Sequence, residues 1–203
     1  LAPAAVVDWM KTHDAGFSAN TRQYGVVDFS PAGNPRSAAF TGTNCLDWKG
    51  HRTGSNYSIQ GNILLGPQIL DSMEAHFLAS TGTLADRLMY ALQGAKVVGA
   101  DTRCTANGTS SLSAFIRVAK PSDPASQFYL DLNVPSLPAK MEPIDSLQRL
   151  YDQWKTSAAP EPTTAVAKVF PNPTFGQISV VLEHSKGVFE LYDSAGQLVF
   201  SKD

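Results

Sequence analysis

Thr41-Gly-Thr-Asn-Cys-Leu-Asp-Trp-Lys-Gly-His-Arg-Thr-Gly-Ser-Asn-Tyr-Ser-Ile-Gln-Gly-Asn62 is the stretch on which the fold turns. Its first part, Gly42 to Asn56, reads as a polar, glycine-rich loop. Its last part, Tyr57 to Asn62, alternates in polarity and reads as a strand. Upstream, Gln23 to Phe29 is rich in aromatic and β-branched residues and predicts a strand. The cluster Ser30-Pro-Ala-Gly-Asn-Pro35 is turn chemistry, and Arg36 to Thr41 supplies a second strand. The pair reads as a hairpin with a longer loop. Before it, residues 3 to 13 predict a helix, with Pro3 in its first turn and Val6, Val7, Trp9 and Met10 forming an apolar face.

Working downstream, Pro67 opens a helix with Ile69, Leu70, Met73 and Phe77 on one side. Thr83 N-caps a second helix, with Asp86 three residues on as in a capping box. Leu84, Leu88, Ala91, Leu92 and Ala95 are its expected buried side. Gly99 to Ser111 reads as a loop. Leu112 to Val118 and Phe128 to Asn133 predict strands, and Pro143 to Trp154 predicts a last helix with Ile144, Leu147, Tyr151 and Trp154 at helical spacing. The Pro-rich Ser157-Ala-Ala-Pro-Glu-Pro-Thr-Thr164 then reads as linker. Beyond it the pattern is all-β: Gln177 to Leu182, Val188 to Tyr192 and Gln197 to Phe200.

Composition limits the function classes. The chain has 203 residues, 43% hydrophobic and 17% charged, with a formal net charge of −2. No Lys/Arg run supports a nucleic-acid partner. No apolar run approaches the ~20 residues of a membrane-spanning helix. The Gly-x-Ser-x-Gly elbow, the phosphate-binding glycine loop and His-Glu-x-x-His are all missing from the sequence.

In the tail, Val169-Phe-Pro-Asn-Pro-Thr174, Gly176-Gln-Ile-Ser-Val-Val-Leu182 and Val188-Phe-Glu-Leu-Tyr-Asp-Ser-Ala-Gly-Gln-Leu-Val199 occur in this order. This pattern resembles the type A C-terminal sorting domain of the type IX secretion system. The resemblance implies a small β-sandwich, here partial, and export of a Bacteroidota-type protein through periplasm and outer membrane to the medium or the cell surface. The secretion machinery is the implied partner.

In the larger part, Arg22-Gln-Tyr-Gly-Val-Val-Asp28, Ala38-Ala-Phe-Thr-Gly42, Cys45-Leu-Asp-Trp-Lys-Gly-His51, Gln60-Gly-Asn62, Gly66-Pro67, Leu84-Ala-Asp-Arg-Leu88 and Gly99-Ala-Asp-Thr-Arg103 follow one another. This series resembles the domain of unknown function 1028 family. The resemblance implies an α+β fold, an αββα sandwich of N-terminal-nucleophile (Ntn) hydrolase type, with its first strands expected upstream of Leu1. The expected organisation is 1–156 as the hydrolase-like domain, 157–166 as linker and 167–203 as the sorting domain. In such a fold the first residue of the mature chain is the nucleophile and its own α-amine serves as base. Leu1 has no nucleophilic side chain, so the nucleophile is likewise expected upstream.

The candidate pocket residues are Asp47, His51, Gln60, Asn62, Asp101 and Arg103. His51 can exchange protons near neutrality or hold its loop by hydrogen bonds. Gln60 and Asn62 alternate on a strand and share a face; their amides can orient a substrate, donate to an oxyanion, or pair with loop backbone. Asp101 and Arg103 fit a polar site loop or a simple ion pair. Cys45, Asp47 and His51 fall short of the four ligands that zinc prefers, so no metal and no cofactor are expected. An exported chain with two cysteines in polar loops predicts a Cys45–Cys104 disulfide. The expected function is a secreted Ntn-type hydrolase of unassigned substrate, with amide-bond hydrolysis as its chemistry. The alternative is a non-catalytic ligand-binding or surface-display module on the same scaffold.

Overall fold

The computed structural model describes residues 1–125 and 127–157 in full and, beyond them, the backbone of four short strands within 168–202. The linker residues 158–166 and the Pro171-Asn-Pro173 motif lie outside the described residues. Two compact units divide the chain, Leu1–Thr156 and Ser157–Asp203.

Helix α1, Pro3–Thr12, starts on a proline, whose missing N–H costs nothing in the first turn. It buries Val7 and lies along a hairpin of β1, Gln23–Phe29, and β2, Pro35–Thr41. The hairpin register runs from Gln23 opposite Thr41 to Phe29 opposite Pro35. Tyr24 and Phe40 face each other across it and stack at 6.0 Å between centroids. Lys11 of α1 sits 5.1 Å above the Phe40 ring, and the Tyr24 hydroxyl donates to Asp14 at 3.2 Å. One face of the hairpin therefore belongs to α1.

Its other face packs on a second hairpin, β3, Gly50–Gly54, and β4, Tyr57–Gly61. β3 corrects the expectation of an unbroken loop over Gly42 to Asn56. A five-residue segment with glycine at both ends carries a weak strand propensity. Pairing with β4, His51 opposite Gln60 and Thr53 opposite Ser58, imposes the extended form. The far face of this hairpin meets α2, Pro67–Ala79: Tyr57 packs on Phe77 at 5.2 Å and donates to Glu74, and Arg52 pairs with Asp71 at 2.6 Å.

α3, Leu84–Gly94, has the expected capping box. Asp86 N–H donates to Thr83 Oγ1, and Thr83 N–H donates to the Asp86 carboxylate. Its buried residues are Ala85, Met89, Ala91 and Gly94, while Leu84 is 54% exposed. Leu88, Leu92 and Ala95 of the expected stripe also pack against the core, so of that stripe Leu84 alone turns outward. α2 approaches closely at Gly94, where a Cβ would lie 2.7 Å from the Ser72 carbonyl oxygen. That contact leaves room for glycine alone and sets which side of α3 turns inward.

The hairpin of β5, Ala114–Val118, and β6, Leu130–Val134, lays Ile116, Val118, Leu130 and Val134 into the main core. α3 contributes Ala85 and Met89 to it, and α4, Pro143–Ser157, contributes Ile144, Leu147 and Tyr151. In the second unit β7, Lys168–Phe170, pairs antiparallel with β8, Ser179–Val181, and β9, Phe189–Tyr192, with β10, Leu198–Lys202. The fold is mixed α+β, built on two-stranded antiparallel sheets. Among the described residues no helix is long and apolar enough to cross a membrane.

Candidate functional site

Gln23 joins the two stacked hairpins. Its Nε2 lies 2.9 Å from the Gly61 carbonyl oxygen, 3.1 Å from that of Gly50 and 3.1 Å from Thr41 Oγ1. Its Oε1 accepts from Asn62 Nδ2 at 3.0 Å. Thr41 Oγ1 in turn lies 2.9 Å from His51 Nδ1. One chain of hydrogen bonds thus runs Asn62–Gln23–Thr41–His51 where β1 and β2 cross β3 and β4. If the Thr41 hydroxyl accepts from Gln23 and donates to His51, the imidazole proton sits on Nε2.

Gln60, cross-strand partner of His51, lies against β1 at Gly25. A Cβ at position 25 would displace the Gln60 amide, which rests directly on the glycine. Ser58 donates to Gln60 Oε1 at 2.8 Å.

Beside β4 opens an apolar cleft in two connected lengths of about 290 and 330 Å3. Ile69, Leu70, Met73 and Leu92 floor it, and Phe115 of β5 lines its far wall. Gln60, Asp101, Ser110, Ser111 and Ser113 add polar groups to one length, and Ser58, Gln60 and Arg117 to the other. Asp101 is held there by an isolated bridge to Leu64 and by its N–H donating to Ser110 O at 2.9 Å. Its carboxylate takes both Arg103 Nη2, at 2.6 Å, and Arg103 Nε, at 2.9 Å. The Arg103 guanidinium holds the Asp101 carboxyl below the usual aspartate range. Ser110 is committed elsewhere, since its hydroxyl and N–H both donate to Glu142.

The structure distributes the six expected residues over four places. Gln60 and Asp101 share the cleft. His51 and Asn62 share the Gln23 network. Arg103 lines, with Asp101, a separate polar hollow of about 350 Å3. Asp47 stands apart: it is 80% exposed and paired with Lys49 at 2.7 Å. Sequence reasoning missed Gln23 and Thr41, because their roles depend on one hairpin crossing another. The only local signal was their position at paired strand ends. Among the described residues no three His, Cys, Asp or Glu side chains converge to hold a metal ion.

The expected disulfide is not formed; Cys45 and Cys104 are both free and buried. Their loops do come near each other, but the bend at Ile63, whose φ is +59°, lies between. Ile63 N–H donates to Leu46 O at 3.1 Å on one side, and Ile63 O accepts from Thr102 N–H at 2.9 Å on the other. The Cys45 thiol instead points at the Arg22 carbonyl, 3.4 Å away. Burial pushes the Cys104 thiol pKa up, which makes it a packed, inert group.

Residues 1–147 match the model of the family of unknown function DUF1028. No curated protein matches the chain. Among solved structures, the crystal structure of protein SPO2555 from Silicibacter pomeroyi, titled with the same family model, is 29% identical to this chain with a TM-score of 0.56. The match covers 75% of this chain and 60% of that one, so this chain spans under two thirds of the Silicibacter protein.

Proposed function

The chain belongs to the family of unknown function DUF1028, and from that membership we propose that it is a secreted Ntn-hydrolase-like protein acting on amide bonds. The observation that carries this reading is the cleft beside β4, with an apolar floor and with Gln60 and Asp101 both in its lining. An amide substrate needs an apolar seat, and its developing oxyanion needs a fixed donor. In this reading Gln60 Nε2 is that donor, since Ser58 already occupies Oε1. Asp101, kept ionised by Arg103, orients the substrate or the α-amine that serves as base. The succession of packed layers, α1 on β1–β2, β1–β2 on β3–β4, and β3–β4 on α2, supports an αββα sandwich. The nucleophile in this reading comes from a strand N-terminal to Leu1. The tail motifs and the two strand pairs β7–β8 and β9–β10 support a type IX sorting module.

The second reading, a ligand-binding module, is favoured by the apolar floor of the same cleft. One screen of simple amide and acyl substrates separates the two. Residues 1–203 should give no turnover, and the chain extended by the nucleophile strand should. In that extended chain Gln60→Ala should lower kcat by roughly 100-fold, as loss of an oxyanion donor does. Turnover by residues 1–203 alone, abolished by His51→Ala, would overturn the assignment. Apolar ligand binding by the extended chain without turnover would favour the binding module.

A further inference from the structure

We propose that the hollow beside Arg103 is a carboxylate subsite, so that the amide this chain accepts carries a free carboxylate, as an N-acyl amino acid does. The inference rests on the amide reading of the cleft and names the substrate class for it. Asp101, Arg103, Cys104, Ser111, Leu112 and Ser113 line the hollow, whose volume is about 350 Å3. Asp101, Ser111 and Ser113 also line the cleft beside β4. Cleft and hollow therefore adjoin through these three residues, and a ligand seated in one can extend into the other.

Of the residues around the hollow Arg103 alone is cationic. A guanidinium has five N–H donors in a rigid fork. Nε donates to Asp101 Oδ1 at 2.9 Å and Nη2 to Asp101 Oδ2 at 2.6 Å. That pairing occupies two of the five donors. The three that remain, two on Nη1 and one on Nη2, form the outer edge of the fork. Among the described residues no other acceptor meets that edge, and the Arg103 side chain is 69% exposed. The fork is nevertheless held in place. The Arg103 N–H donates to Asp101 Oδ1 at 3.0 Å. The loop itself is pinned by Asp101 N–H donating to Ser110 O and Thr102 N–H donating to Ile63 O, each at 2.9 Å. An open guanidinium edge, oriented by a bidentate partner on its other edge, is a planar match for a second carboxylate.

Charge decides between ligands. A carboxylate on the outer edge would touch the guanidinium, while the Asp101 carboxylate stays farther off on the neighbouring edge. Coulomb energy falls with distance, so the nearer cation outweighs the farther anion and the net interaction is attractive. A neutral amide at the same edge gains hydrogen bonds without that attraction, and an ammonium group is repelled. Ser113 supplies a further donor. Ser111 Oγ donates to the Ser113 carbonyl at 3.0 Å, and the Ser113 hydroxyl is uncommitted among the described residues. The floor of Ile69, Leu70 and Met73 is left for an acyl chain. Acyl chain, amide and carboxylate thus each have a partner: that floor, Gln60 and Arg103.

The test is binding of N-hexanoyl-glycine and N-hexanoyl-glycylglycine, each against its terminal amide, to residues 1–203, followed by backbone amide shifts in NMR spectra. At least one carboxylate should bind about tenfold or more tightly than its amide, as a hydrogen bond to a charged group contributes. The shifts should centre on Arg103 and Ser113. Arg103→Gln should bring the two affinities within about twofold, and Arg103→Lys, which keeps the charge without the fork, should restore only part of the difference. Equal affinity for carboxylate and amide in the parent, or a preference that survives Arg103→Gln, would overturn the proposal. So would no binding of any of the four compounds up to about 10 mM, above the millimolar range of a weak small-ligand site. Displacement by an equal concentration of inorganic phosphate would make the hollow a general anion site and overturn the substrate class. The readout is affinity, so the two readings fail separately. Turnover of amides without a carboxylate preference would remove the subsite and leave hydrolysis; the preference without turnover in the extended chain would do the reverse.

Discussion

Asn62 Nδ2 donates to Gln23 Oε1 at 3.0 Å and so joins the residue after β4 to the start of β1. Gln23 also donates to the carbonyls of Gly50 and Gly61 and to Thr41 Oγ1, so one side chain satisfies groups on β2, β3 and β4. Gln23→Ala should leave those carbonyls and the Asn62 amide without their partner. At a net ~1 kcal/mol per hydrogen bond, partly recovered by water, the expected loss is about 2 kcal/mol. In a domain of this size that corresponds to a fall of about 5 °C in Tm. A melting curve identical to that of the parent would show that the two hairpins are held together by other contacts.

Asp86 accepts from Thr83 N, Thr83 Oγ1, Tyr151 Oη and Lys155 Nζ. Lys155 first, and then the hydroxyl of Thr83, hold its carboxyl well below the usual aspartate range. A depressed folded-state pKa adds stability that is present above the unfolded value, near 4, and is lost as pH falls toward the folded one. Asp86→Asn should therefore cost about 2 kcal/mol at pH 7. The gap between parent and variant should narrow steadily below about pH 4. Urea midpoints at pH 7 and pH 3 measure it, and an equal gap at both would contradict the network's charge dependence.

Both thiols are buried and unbonded. In native, unreduced protein neither should react with a thiol reagent on a timescale of minutes, and both should react in denaturant. Finding no titratable thiol in denaturant without reductant would mean that a Cys45–Cys104 bond forms after all, at the expense of the Ile63 hydrogen bonds.

The core of the first unit is complete within it: α3, β5, β6 and α4 supply its buried cluster. Removing everything after Thr156 should leave the far-ultraviolet spectrum of that unit intact and its Tm within about 2 °C, the shift of less than 1 kcal/mol in a domain of this size. A larger fall would mean that the tail contributes to the unit's stability.

The elements that the sequence by itself determined are those governed by near neighbours. β1 occupies Gln23–Phe29 as read, because β-branched and aromatic residues there favour the extended chain and a Pro-Ala-Gly-Asn-Pro run ends it. The Thr83–Asp86 capping box is a contact three residues long and was legible for the same reason. So were Ile144, Leu147 and Tyr151, whose helical spacing places them on one buried face.

Tertiary structure alone decided the rest. β3 is a strand only because β4 lies beside it. Leu88, Ala91, Leu92 and Ala95 turn inward as their spacing suggests, but Leu84 is exposed and Met89 buried, because what packs on α3 sets the limits of its buried side. Cys45 and Cys104 stay apart because Ile63 hydrogen-bonds to both of their loops. The six polar residues of the conspicuous motifs separate because β3 and β4 carry His51 and Gln60, while Asp47 stays outside in an exposed ion pair. Gln23 gains its role from three acceptors and a donor between 18 and 39 residues away along the chain. Caps, turns and periodicity are interactions within a few residues and leave their mark in the order of amino acids. Pairing, crossing and burial join segments far apart in sequence, and their outcome is set by which backbones can approach, a geometric condition that exists only once the chain has folded.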